Sequence, residues 1–171
     1  MQWILWALGA VAAVTGLAAL VGAMLPQRHF ASRRARYRAS PEAVYAVLAG
    51  PPDWRTGVKS FGVLPATDGR PRWWEEDEHR QKITFEQVEA KPGERLGVRI
   101  AQVGLPFGGK WTFDIAPAAG GGSELRITED GEIYNVFFRF MARFIFGYYG
   151  SIETYLRDLG AKFGQTVEIE G

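Results

Sequence analysis

The chain of 171 residues contains no cysteine. Disulfides, thiol nucleophiles and cysteine-type metal sites are therefore excluded together. Histidine is nearly absent as well: two residues cannot form a His-rich metal centre without carboxylate help. Charge of one sign is also lacking. The net charge is +1, so no global field steers the chain toward nucleic acid or toward acidic partners. Lysine is scarce beside arginine, and Ala and Gly are abundant, which suits a GC-rich bacterial coding origin. No Ser/His/Asp set, metal-ligand spacing or dinucleotide fingerprint is present, so neither a cofactor nor a metal is expected.

The next absence is local. "WILWALGAVAAVTGLAALVGAML", residues 3–25, carries no charge over 23 positions. A helix of that length spans roughly 34 Å, enough for a hydrocarbon core. Trp3 and Trp6 stand at one end, where indoles favour the membrane interface. A cleaved signal peptide is the rival, but it wants basic residues before the apolar run, and here they follow it. Arg28, Arg33, Arg34, Arg36 and Arg38 come next with no acid among them. The positive-inside rule then predicts a single-pass anchor, in a bacterial inner membrane, with the body of the chain in the cytoplasm. Arg28, Arg33 and Arg34 are also candidates for contact with anionic lipid. Small residues at Ala12, Gly16 and Ala19, or at Gly9, Ala13 and Gly16, are candidates for a homodimer seam between anchors.

From residue 29 the pattern is that of one α+β domain. "RRARYRA" alternates as a half-buried strand, with Arg34, Arg36 and Arg38 on one face and Ala35 and Tyr37 on the other. "SPEAVYAVLAG" reads as a short helix capped by Ser40 and begun at Pro41. "PPDWRTG" reads as a second short turn or helix. About six strand-like segments follow, separated by Gly-, Pro- and Asp-rich turns, which predicts an antiparallel meander. Trp111, Phe113 and Ile115 share one face, and Leu125, Ile127, Glu129 and Ile133 share another parity that turns one carboxylate inward. Apolar residues then recur at Phe137, Met141, Phe144, Tyr148, Ile152, Tyr155, Leu159 and Phe163, which predicts one long helix over 135–164. Gly147 and Gly150 inside it suggest a kink or a close backbone approach. The expected division is 1–28 anchor and linker, 29–164 domain and 165–171 frayed tail.

Three stretches carry a resemblance. "ASPEAVYAVLAGPPDWRTGVKSFGVL", "KWTFDIAPAAGGGSELRITEDGEI" and "SIETYLRDLGAKFG" resemble the opening, the late hairpin and the closing helix of the START-like superfamily with the helix-grip fold, also called SRPBCC. The likeness is to its polyketide cyclase/dehydrase and lipid-transport branch. It implies a curved antiparallel sheet, of the Bet v 1-like kind, wrapped on a long C-terminal helix. It also implies a small hydrophobic ligand (a lipid, isoprenoid or polyketide-like molecule) held between the two. Trp74, Phe85, Trp111, Phe113, Phe137, Met141, Phe144 and Tyr148 are the expected cavity residues. The anchor departs from what a freely diffusing lipid shuttle would carry.

Two alternatives stand beside a membrane-anchored binding protein. A cyclase-like enzyme would use His79, from the acidic "WWEEDEHRQK" segment, or Glu129 as acid/base. A membrane-tethered interaction module would have a filled core. The stretch "NVFFRFMARFIFGYYG" separates them least readily. On a helical wheel Phe140 and Phe146 fall outside the sheet-facing stripe, beside Arg139 and Arg143, and are expected to meet lipid.

Overall fold

The computed structural model describes residues 2–171. Helix α1 (Gln2–Met24) stands out from the domain, with only Ala18 and Gly22 buried. Three residues, 25–27, connect it to β1 (Arg28–Tyr37). Helix α2 (Pro41–Leu48) follows, with the Ser40 hydroxyl accepting from the Ala43 N–H at 3.3 Å and Pro41 in the first turn. The strands β2 (Ser60–Thr67), β3 (Arg70–Glu76), β4 (Lys82–Lys91), β5 (Arg95–Ile100), β6 (Phe107–Pro117) and β7 (Ser123–Ile133) then form the meander. Helix α3 (Val136–Met141), a π-helical turn (Ala142–Phe146) and helix α4 (Gly150–Lys162) complete the order, with a short β8 (Ile169–Glu170) at the end.

All eight strands make one antiparallel sheet in the order β2-β3-β4-β5-β6-β7-β1-β8. Register shifts between Leu64 and Thr67 and between Gln87 and Glu89 interrupt the ladders, and such bulges bend a sheet. The concave face receives α4, whose Ile152, Tyr155, Leu156 and Leu159 are buried against Ala35, Tyr37, Phe113, Leu125 and Ile127. Tyr37 donates to the Leu156 carbonyl at 2.9 Å, so β1 and α4 are bonded as well as packed.

Two expectations are corrected. The single helix over 135–164 is two helices, because Gly147 (φ 74°, ψ 178°) ends the π-helical turn in a conformation essentially open only to glycine. Residues 165–171 are not a frayed tail: Arg34 and Ala35 of β1 pair with Glu170 and Ile169. The "PPDWRTG" segment takes the first of the two forms expected for it, a series of turns. Its place is fixed by Asp158 of α4, which accepts from the Thr56 N–H at 2.8 Å and from the Thr56 hydroxyl at 2.9 Å. In α1, Ala18 and Gly22 are the residues buried against the domain, while Gly9 and Gly16 have open space around them.

The partner of Gly22 is α3. A Cβ at position 22 would lie 1.9 Å from the Val136 carbonyl oxygen and 3.5 Å from the Phe140 Cβ. Only a glycine lets the two backbones approach so closely, and this seam ties the apolar helix to the domain.

Candidate functional site

Between the concave sheet and the α3–α4 segment lies a cavity of about 870 Å³. Strand alternation builds its wall. Trp73, Phe85, Val98, Trp111 and Phe113 point inward from neighbouring strands, and Leu48, Trp54 and Tyr155 close the far end. Trp54 meets Tyr155 edge-on at 5.1 Å, and Trp73 stacks on Phe85 at 5.8 Å. Burial pushes the Tyr155 phenol well above its ordinary range, so this group stays neutral.

The strand directions orient the cavity. His29 at the start of β1 stacks on Tyr148, Arg33 pairs with Glu153, and Tyr37 bonds Leu156. Strand β1 and helix α4 thus run together away from α1. The near end of the cavity is rimmed by Phe107 of β6, by Phe138 and Met141 of α3, and by Phe146 of the π-helical turn. The Trp54 and Tyr155 end lies deeper in the domain.

Polar groups interrupt the apolar lining: Gln87, the unpartnered Trp54 Nε1, and two clusters. In the first, Glu75 accepts from Trp73 Nε1 at 2.9 Å and from Arg55 at 2.6 Å, and the Arg55 guanidinium also lies 4.7 Å from the Tyr155 ring centre. That group is complete in itself. In the second, His29 Nε2 lies 3.7 Å from Glu129 Oε1, too far for a hydrogen bond. His29 Nδ1 is buried without any partner, and its ring stacks on Tyr148 with centroids 4.3 Å apart.

Of the expected cavity residues, Phe85, Trp111, Phe113, Met141 and Tyr148 line it. Trp74 does not: it faces the outer side of β3 under Lys82 Nζ at 4.2 Å, and its neighbour Trp73 takes the inward place. Phe137 and Phe144 do not line it either, because the break at Gly147 rotates α3 and the π-helical turn out of the phase of α4. Phe144 is 57% exposed instead. Of the two acid/base candidates, Glu129 lines the cavity, whereas His79 sits exposed in the β3–β4 turn, its N–H donating to Asp77 at 2.8 Å.

The expected membrane contacts divide in the same way. Trp3 and Trp6 are exposed on α1, and Phe146 is 70% exposed at the cavity rim. Phe140 packs on α1 at Gly22 and against the Phe144 ring at 5.0 Å. Arg28 pairs with Asp130, Arg33 with Glu153, and Arg34 with Glu124 and Glu170, so each arginine already has a carboxylate partner within the domain. No group of three or more His, Asp and Glu side chains able to hold a metal occurs among the described residues.

His29 is the residue the sequence reading passed over. It shares a strand parity with Ala31, Ala35 and Tyr37, three residues that the structure buries. Extending the alternation of β1 back to its first residues would have found it.

Comparison with known proteins fits this geometry. A family model described as polyketide cyclase / dehydrase and lipid transport matches residues 29–162. The chain belongs to this family. Within the polyketide cyclase/dehydrase and lipid transport family, the matched region runs from His29 to the end of α4 and leaves α1 outside. Among solved structures, a START superfamily protein from Mycobacterium smegmatis is similar, with 20% identity over 80% of this chain and 97% of that one and a TM-score of 0.60. A protein from Chromobacterium violaceum has 21% identity over 81% and 98%, with a TM-score of 0.52. The norcoclaurine synthase of Thalictrum flavum has 11% identity over 77% and 84%, with a TM-score of 0.59. At these identities the likeness shows the helix-grip fold. Among curated proteins none matches.

Proposed function

We propose that this family member binds a hydrophobic ligand in its cavity and exchanges it with a membrane in which α1 is embedded, the domain lying on the cytoplasmic side. The observation that carries the reading is a mostly apolar cavity of about 870 Å³ rimmed by the segment that packs on α1. That volume lies in the upper part of the range for small-molecule sites, and a ligand-free interaction module has no use for it.

The membrane part rests on where α1 meets the domain. One described helix, Gln2–Met24, is long and apolar enough to cross a bilayer, a property that signal sequences share. In a spanning helix, Gly22 lies about 3 Å from the end of the span. Helix α3 packs there, so it would rest at the level of the headgroups. The exposed apolar side chains of Phe30, Val103, Phe138, Phe144, Ile145 and Phe146 gather at this same end of the fold. Exposed apolar surface beside a cavity rim suits transfer of an apolar molecule without passage through water.

Native mass spectrometry of the full chain, released from its own membranes in mild detergent, tests the reading. A bound amphiphile of defined mass is expected, and its loss is expected on narrowing the cavity with Val98→Trp. A clean ligand-free mass across preparations would contradict it. A second reading, acid/base chemistry on a hydrophobic substrate, is favoured by one observation, the Glu129 carboxylate in the cavity beside His29. Conversion of a bound molecule on prolonged incubation, lost in Glu129→Met, would support that reading, and recovery of the molecule unchanged would oppose it.

A further inference from the structure

Resting on the cavity-binding reading, we infer that the ligand is an amphiphile with a neutral hydroxyl head, alcohol or phenol, held at the near end of the cavity by His29 and Glu129 while its apolar part points toward Trp54 and Tyr155. Among the polar groups of the lining, Glu75 is satisfied by Arg55 and Trp73, Trp54 Nε1 at the far end is a lone unpartnered donor, and His29 and Glu129 set an unbonded donor and acceptor side by side. Their side chains are 14% and 20% exposed, and they face each other across a 3.7 Å gap. Two such groups with no bond between them and little access to water are a poor arrangement for an empty core. One oxygen about 2.8 Å from each atom closes a triangle on that base. With His29 Nδ1 unpartnered, the tautomer bearing its proton on Nε2 presents a donor beside the carboxylate acceptor. A hydroxyl donates to the one and accepts from the other through a single atom.

The position is built. His29 is clamped by the Tyr148 ring at 4.3 Å. Across the strand pair, a Cβ at Gly131 would lie 2.3 Å from His29 Cε1, so a glycine is what makes room for the imidazole. An anionic head is disfavoured by the Glu129 carboxylate, and Lys110, the lysine lining the same end, also faces Asp130. The apolar part has one direction open to it, toward the aromatic far end. The head is thus left at the rim beside α3, the orientation of an amphiphile drawn tail-first from a bilayer.

The test compares para-nonylphenol with para-nonylanisole, its methyl ether, and with para-octylbenzylamine, each partitioned at equilibrium between nanodiscs carrying the full chain and empty nanodiscs. The phenol is expected to bind at least about tenfold more tightly than the ether. His29→Phe, which keeps the stack on Tyr148, and Glu129→Met are each expected to bring that ratio to within about twofold while the ether binds as before. Retained binding of the ether shows that each variant is folded. Equal binding of phenol and ether to the unaltered chain, or a preference that survives both substitutions, would overturn the hydroxyl assignment and leave the cavity reading standing. Tighter binding of the amine than of the phenol would overturn it in favour of a cationic head. Failure of all three probes to bind would overturn both.

Discussion

Gly147→Ala isolates the backbone feature that shapes the cavity rim. Gly147 holds φ 74° and ψ 178°, and a Cβ there would meet nothing within 4 Å. Alanine therefore adds no clash, and its whole effect is conformational, about 1–3 kcal/mol for an L-residue in that region. Gly150, three residues on, opens α4 with nothing within 4 Å of its Cβ position and no positive φ. Alanine there relieves a glycine penalty of at most about 1 kcal/mol. For a domain of this size each kcal/mol moves Tm by about 2–4 °C. Gly147→Ala should lower Tm by about 2–12 °C, and Gly150→Ala should leave it unchanged or raise it by up to about 4 °C. The assay is thermal unfolding of the full chain in detergent, followed by circular dichroism. Shifts of the same sign in the two variants would refute the break at Gly147 and restore one continuous helix. Gly147→Ala should also weaken probe binding, since Phe146 and Met141 reach the rim through that turn.

Three further outcomes are expected. Gly22→Leu should separate α1 from α3 and speed amide exchange in 136–146, because its Cβ would start 1.9 Å from the Val136 carbonyl, whereas Gly16→Leu, in open space, should not; equal exchange would remove the seam. The absence of native cysteine allows single labels: an environment-sensitive dye at Phe144→Cys or Phe146→Cys should be quenched by lipid-borne spin labels in proteoliposomes, and one at Ala119→Cys, on the opposite end of the sheet, should not, with solvent-like signals from all three counting against membrane contact. Glu86→Leu should destabilise the domain by about 1–3 kcal/mol in denaturant titration, since a buried carboxylate there gathers Arg70, Arg72 and Arg99, and an unchanged midpoint would show those ion pairs to be inert.

The elements fixed by local chemistry were legible in the sequence. Ser40 and Pro41 begin α2 as their residue types demand, and the alternation through Trp111, Phe113 and Ile115 sets the face of β6. The end of the chain was not legible, for two physical reasons. A 4, 3, 4, 4 spacing of apolar residues continues across Gly147, so periodicity alone cannot report that the backbone has left the helix. The wheel consequently sent Phe137 and Phe144 to the sheet and Phe140 to lipid, whereas Phe140 packs on Gly22. The adjacent Trp73 and Trp74 differ by one step of the pleat, and either parity reads as a strand until the pairing with Phe85 is known. The His29–Glu129 pair joins residues 100 positions apart, and only the β1–β7 register places them together.

The central claim is that the cavity takes up an apolar molecule from the bilayer. Labelling with a membrane-resident, diazirine-bearing long-chain alcohol tests it most directly: membranes holding the full chain are illuminated, and the modified residues are mapped by peptide mass spectrometry. The account predicts adducts inside the cavity, on Trp111, Phe113 or Tyr155, that are lost in Val98→Trp. Adducts confined to α1 and to the exposed faces of Phe144 and Ile145, with the cavity wall unlabelled, would contradict it.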